Sequence, residues 1–244
     1  MADHQILIVG GGAAGIATAA SLHKRDASLD IAIIEPSATH YYQPGWTMVG
    51  AGIFKKEETA RSTASVMPSY VTQIRGTVAS FQPDENSVRL EDGKALTYGS
   101  LVVAAGLKLD WAAIEGLEEA LGRNGVTSNY RYDLAPYTWE LVQKMRGEKA
   151  IFTQPPMPIK CAGAPQKAMY LSCSTWMQVG KIKDIDVSFC NAGPILFGCA
   201  EYVPPLMEYV DRYGINLDFG YNLVKVDGPN QIATFKVAKE GEDP

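Results

Sequence analysis

The feature that most restricts what this chain can become lies in its first 37 residues. "QILIV" (5–9) is an apolar strand, "GGGAAG" (10–15) a glycine turn, and "IATAASLHKR" the continuation of an alanine-rich helix. "DIAIIEPS" (30–37) then forms a second apolar strand ending in an acid. Strand, crossover helix and strand joined by short connections make a βαβ unit, which requires a parallel sheet with the helix packed on it. Gly10-x-Gly12-x-x-Gly15 alone is a weak signal. Following a strand, opening a helix and having Glu35 at the end of the next strand, it is the full dinucleotide fingerprint.

Each position has a physical task. Gly10 permits the tight turn, Gly12 lets the backbone approach a pyrophosphate, and Gly15 lets helix and strand pack closely. The helix N-terminus offers free N–H groups and partial positive charge to phosphates, and Glu35 is expected to accept hydrogen bonds from a ribose. The turn does not decide between NAD and FAD. The later strand "LVVAAG" favours FAD, because Ala105-Gly106 at its end supplies small residues that can return beneath the dinucleotide.

The rest of the chain extends the α/β pattern. With 46% hydrophobic and 20% charged residues over 244 positions there is material for a sizeable core, in one large domain or two ordinary ones. The net charge of −5 and the absence of a Lys/Arg run leave no nucleic-acid footprint. No stretch nears the roughly 18 apolar residues of a membrane span. The start "MADHQILIVGGG" leaves no room for a signal or transit peptide. "IRGTVASFQP", "SVRLEDG" and "ALTYG" (74–99) read as short antiparallel strands with turns at Pro83-Asp84 and Asp92-Gly93, and "SLVVAAG" as a further buried strand. "APYTWELVQKM" reads as a helix. From Glu148 a second α/β series begins: strand "KAIFTQP", helix 165–179, strand "DIDVSFCNA", and a helix kinked or started at Pro204-Pro205. Strands "INLDFGYNLVKVDG" and "QIATFKVA" follow, then a polar, turn-like "KEGEDP". The expected organisation is two Rossmann-like domains, 1–147 and 148–244.

The second series lacks its glycines. After "KAIFTQP" comes "PMPIKCAGAPQKAMYL", with Pro155, Pro156 and Pro158 stiffening the approach and only Gly163 where several glycines are expected. A pyrophosphate cannot lie flat on such a turn, so no nicotinamide site is expected in 148–244. Cys161 stands in that gap. A helix mouth and the adjacent Lys160 both lower a thiol pKa, which makes a nucleophile one reading and a loop cysteine without a role the other. Cys161 and Cys173 are too far apart along one helix to bridge. Cys190 and Cys199 could bridge, but read better as two core thiols. With no CxxC pair and no histidine near a cysteine, no metal site is expected. Tyr41, Tyr42 and Trp46 could line a cofactor or fill a core, and His40 is equally open.

"VGGGAAGIATAASL", "HYYQPGWTMVGAG", "TASVMPS", "LVVAAGLKLDW" and "IFTQPPMPIKCAGAPQKAMYLS" together resemble the sulfide:quinone oxidoreductases, in particular the subgroup with the mitochondrial enzyme. The resemblance runs over essentially the whole chain, and its KCAGAPQK segment is far more specific than the glycine turn. It implies two Rossmann-like domains holding FAD, with Ala14, Gln43 and Val78 joining Gly10, Gly12, Gly15, Glu35, Ala105 and Gly106 as cofactor contacts. It implies that Cys161 is one of a redox pair that takes up sulfide sulfur as a persulfide and passes electrons to the flavin, which a membrane quinone reoxidises. Peripheral attachment to the inner or cytoplasmic membrane is implied as well. Members of the family continue into a tail carrying the second redox cysteine, part of the flavin site and the quinone pocket, so this chain corresponds to an N-terminal portion. Another flavin reductase, such as a type II NADH dehydrogenase, and a non-catalytic FAD-binding fragment remain as rival readings.

Overall fold

The structure, a computed structural model, describes residues 2–238. The "KEGEDP" tail lies outside the described residues. Packing gathers the chain into two compact units. One holds the described residues up to Tyr42 together with Ala60–Lys108, and the other holds Gln43–Thr59 together with the described residues from Leu109 onward.

In the first unit β1 (His4–Val9), α1 (Ala13–Arg25) and β2 (Ile31–Ile34) form the βαβ unit expected from the sequence. β1 pairs with β2 in parallel, Leu7 opposite Ala32 and Val9 opposite Ile34. Alternate residues point to opposite faces of the sheet. Leu7, Val9, Ala32 and Ile34 therefore fill one core, and Ile8, Ile31 and Ile33 fill another together with Ala19 of α1. Both faces being covered explains why these strands read as unbroken apolar runs rather than as alternation. Next come the short β3 (Thr39–Tyr41), and in the other unit α2 (Trp46–Val49). The chain then returns with β4 (Ala60–Ser62), antiparallel to β3, α3 (Thr63–Val66) and β5 (Val71–Ile74). β6 (Val78–Gln82), β7 (Ser87–Leu90) and β8 (Ala95–Val103) complete a six-stranded sheet in the order β5-β2-β1-β8-β7-β6.

"ALTYG" and "SLVVAAG", read from the sequence as separate strands, are the two ends of β8. Its first residues pair antiparallel with β7, and from Tyr98 on it runs parallel to β1. The small residue at the changeover, Gly99, has a physical reason, since a Cβ there would lie 2.9 Å from the Gln5 carbonyl oxygen. β5 was hidden for the opposite reason. "VTQI" carries two polar residues and sits on the sheet edge, parallel to β2.

The second unit contains α4 (Leu117–Ala120), α5 (Ala135–Lys144), β9 (Lys149–Gln154), α6 (Gly163–Gln178), β10 (Asp186–Asn191) and α7 (Val203–Tyr213). β11 (Asn216–Phe219), β12 (Tyr221–Asp227) and β13 (Ile232–Val237) follow. β9, β10 and β11 form a parallel sheet in the order β11-β10-β9. Pro204 and Pro205 start α7 rather than kink it, lying in its first turn where a missing N–H costs nothing. "INLDFGYNLVKVDG" breaks at Gly220, whose φ of +75° turns β12 away into an antiparallel hairpin with β13. The core joins Met169, Cys173 and Trp176 of α6 to Val187 and Phe189 of β10 and Val142 of α5. The Trp176 indole N–H donates to the Val142 carbonyl at 2.9 Å. A boundary at residue 147 follows the repeat of the strand–helix series. Packing instead groups α4 and α5 with the second sheet, because α5 supplies one wall of that core.

Candidate functional site

In the first unit β1 has β2 on one side and β8 on the other, so successive connections leave β1 in opposite directions. In open α/β sheets ligands bind at such a switch point, outside the carboxyl ends of the strands. Gly10 sits there with φ +106°, and a Cβ on it would fall 2.3 Å from the Ala104 carbonyl oxygen. Gly15 is equally constrained by packing: a Cβ would lie 1.9 Å from the Gly10 oxygen. Gly12 differs. It has no neighbour within 4 Å of an added Cβ, so its backbone faces open space as the N-cap of α1. No side chain caps that end and no acid occupies its first turn. The N–H groups of a first helical turn have no partner inside the helix, and they attract anions. Ala14 is exposed on the same turn. These residues fit a pyrophosphate.

Glu35 is already oriented. Its carboxylate accepts from the Gly11 N–H at 2.7 Å on one oxygen and from the Ser37 N–H at 2.7 Å on the other. Each oxygen keeps lone-pair capacity for a further donor. Ala105 and Gly106 follow β8, both exposed, and Gly106 has φ +77°. Val78 opens β6 and packs half-buried against the core that contains Leu7 and Leu90. Gln43, also expected as a contact, belongs to the other unit, where it opens a short 3-10 turn.

In the second unit the turn between β9 and α6 presents Cys161, exposed and in the left-handed region with φ +59°. A non-glycine residue there is uncommon and strained. Three contacts hold it. The Ala164 N–H donates to the Cys161 carbonyl oxygen at 2.9 Å. The Tyr130 hydroxyl shares its one proton between the carbonyl oxygens of Lys160 at 2.7 Å and Cys161 at 3.1 Å. The Lys160 ammonium donates to the Gln43 side-chain oxygen and lies 5.8 Å from the centre of the Tyr130 ring. Sequence adjacency suggested a cation serving the thiol; the structure directs that cation toward Gln43 and Tyr130. Burial, and then the charge on Cys161, push the Tyr130 phenol up to about 12, so it remains a donor. Tyr130 lies 31 residues before Cys161 in a stretch without motif or periodicity, so nothing in the sequence marked it.

The other thiols are differently placed, and all four are free. Burial pushes Cys173, inside α6, up to about 12. Burial and the Asp218 carboxylate push Cys190, in β10, up to about 11. Cys199, half-buried, donates to the Glu201 carboxylate at 3.1 Å. The aromatic patch divides: Trp46 is buried with Val49 and Ala135, whereas Tyr41 and Tyr42 are on the surface. His40 lies in β3, paired with Arg61 of β4.

Residues 4–142 match the family model of pyridine nucleotide-disulphide oxidoreductases. The chain belongs to that family. Within it, the chain is 41% identical over 235 residues to the mitochondrial sulfide:quinone oxidoreductase of Dictyostelium discoideum, covering 95% of this chain and 52% of that protein. To the mitochondrial sulfide:quinone oxidoreductase of Mus musculus it is 39% identical over 240 residues, 98% of this chain and 53% of that one. The solved sulfide:quinone oxidoreductase of Aquifex aeolicus superposes with a TM-score of 0.79 at 22% identity, over 96% of this chain and 56% of that chain, which shows the shared fold. The chain thus spans about half the length of the curated relatives it matches. Because the family model ends at residue 142, the Cys161 turn lies beyond it and within the stretch aligned to the mitochondrial enzymes.

Proposed function

We propose that this chain serves as a flavoprotein sulfide:quinone oxidoreductase, taking up sulfide sulfur at Cys161 as a persulfide. FAD bound at the glycine turn would supply a two-electron acceptor that a membrane quinone reoxidises. Gly10, Gly12, Ala14 and Gly15 would form the turn that holds its pyrophosphate, and Glu35 would accept from a ribose hydroxyl. Ala105, Gly106, Gln43 and Val78 would be further contacts. The chain's own chemistry is at sulfur: thiolate and hydrosulfide join through an S–S bond, releasing one proton and two electrons. Quinone as acceptor carries with it peripheral contact with the inner or cytoplasmic membrane. Among the described residues no helix is long and apolar enough to cross one.

The observation that carries this reading is the exposed Cys161 on a proline-stiffened turn at the mouth of α6, where a nicotinamide-binding domain would have glycines. It favours sulfide over NADH as reductant, and so disfavours the dehydrogenase reading. The test is anaerobic addition of sulfide to the FAD-loaded protein. Bleaching of the flavin, with a 32 Da adduct at Cys161 by mass spectrometry, is the expected result. A bound flavin that NADH bleaches and sulfide does not would refute it. A flavin that neither reductant bleaches would leave FAD binding alone.

A further inference from the structure

The turn carrying Cys161 adopts a conformation that its sequence does not favour. A left-handed φ of +59° at a residue with a Cβ must be imposed from outside. Pro155, Pro156 and Pro158 limit the approach from β9, but none of them lies within two residues of Cys161. The bond from the Ala164 N–H to the Cys161 oxygen closes the first turn of α6 and would form in an ordinary helix start as well. What distinguishes this turn is Tyr130. One hydroxyl reaches two consecutive carbonyl oxygens, those of Lys160 and Cys161, on either side of the Cys161 φ and ψ bonds. Bridging the two carbonyls fixes their relative direction, and with it the torsion angles between them. The ring itself is half-buried, and the Lys160 ammonium, fastened to Gln43, lies over it. The phenol is therefore held against the turn by the Lys160 side chain as well as by its own hydroxyl.

We infer that Tyr130 is a positioning residue for the Cys161 thiol, its hydroxyl latching the two flanking carbonyls and so holding Cys161 in the left-handed conformation that presents its sulfur. The inference takes its meaning from the proposed role of Cys161, but its readout needs neither flavin nor sulfide. Failure of the sulfide chemistry and failure of the latch are thus distinguishable.

The experiment compares Tyr130→Phe with the unmutated protein, measuring by mass spectrometry the rate at which iodoacetamide labels Cys161 between pH 6 and 10. Cys199 in the same molecule is the internal standard. Phenylalanine keeps the ring and removes the latch. Loss of one hydrogen bond of ordinary strength lets the turn relax, so the high-pH plateau at Cys161 should fall about five-fold relative to Cys199. The pH of half-maximal rate should stay in place. Tyr137→Phe removes another tyrosyl hydroxyl, one that accepts from the Gly125 N–H, and should leave the ratio unchanged. The latch is overturned if Tyr130→Phe keeps the ratio within two-fold. It is equally overturned if the substitution makes the buried Cys173 reactive together with Cys161, which is the mark of a general loosening. Should Tyr130→Phe not fold, Cys161→Gly in the same background decides, because glycine takes the left-handed conformation without a latch: recovery of folding supports the latch, and continued failure to fold refutes it.

Discussion

Gly12 and Gly15 both belong to the fingerprint, yet the structure separates their tasks, and a pair of substitutions can exploit the difference. Gly15→Ala places a Cβ 1.9 Å from the Gly10 oxygen, where ordinary contact requires more than 3 Å. Helix α1 must withdraw from β1 by over an ångström or the turn must distort, in a core that already holds Ile8 and Ala19 without exposure. Overpacking of this kind costs about 1–3 kcal/mol. For a chain of this size each kcal/mol lowers Tm by about 2–4 °C, so a loss of about 2–12 °C is expected. Gly12→Val meets nothing within 4 Å, and its φ of −74° is open to any residue. Its cost is that of exchanging glycine for a poor N-cap residue, about 0.5–1 kcal/mol, or about 1–4 °C. What Gly12→Val blocks is the approach of a pyrophosphate to the backbone. The assay is thermal melting of both variants stripped of flavin, followed by FAD content after reconstitution, read from the absorbance of released flavin. Gly12→Val should melt close to the parent and retain almost no FAD. If it keeps as much FAD as the parent, the pyrophosphate is not at this turn. If stripped Gly12→Val melts as low as Gly15→Ala, the open space at Gly12 is not real.

Three further outcomes are expected. In folded, reduced protein, limiting iodoacetamide should label exposed Cys161 first and Cys173 and Cys190 last, since burial pushes those two up to about 12 and about 11; labelling of Cys173 ahead of Cys161 would contradict the packing of α6. Titration with NADH or NADPH should show no saturable binding in the micromolar range, corresponding to about −8 kcal/mol, because the β9–α6 turn keeps only Gly163 of the expected glycines; clear saturation would restore the dehydrogenase reading. Stability should fall from pH 9 toward 12: Cys173 rises from an ordinary 9.0 to about 12 on folding, so the unfolded chain loses this proton first and the contribution is complete only below pH 9. Urea melts of Cys173→Ala, though lower throughout from the lost core volume, should decline less steeply over that window, and an unchanged slope would show that the thiol is not the group responsible.

The fold was legible wherever local pattern and tertiary environment demand the same residues. β1 and β2 are apolar at successive positions because both faces are covered, and the glycine turn announces itself because Gly10 and Gly15 leave no room for a Cβ. The elements that escaped are those whose environment is set from a distance. β5 is an edge strand with polar residues, and β8 changes partners at Gly99 within what look like two segments. The Cys161 site divides along the same line. A thiol beside a helix start in a proline-stiffened turn could be read from a dozen adjacent residues. The neighbours that shape it could not, since Tyr130 and Gln43 lie 31 and 118 positions earlier in the chain.

Lys160 shows what that division means for chemistry. Read along the chain, a cation next to a cysteine is a reason for a thiolate. In the folded unit its ammonium donates to Gln43 and lies over the Tyr130 ring, and Tyr130 in turn grips the Lys160 and Cys161 carbonyls. Three segments distant in sequence thereby converge on one peptide unit, the cation tying them together at the turn that carries Cys161. A charge used in this way shapes the turn through its contacts. The distinction has a measurable form. Lys160→Met retains most of the aliphatic stem and loses the bond to Gln43. If the lysine acts as a tether, the substitution should lower the plateau rate of Cys161 alkylation and leave the pH of half-maximal rate where it was. If the lysine acts by its field, the plateau should hold and the half-maximal pH should rise. The geometry of the turn favours the tether, and a rise in half-maximal pH by a full unit with an unchanged plateau would overturn it.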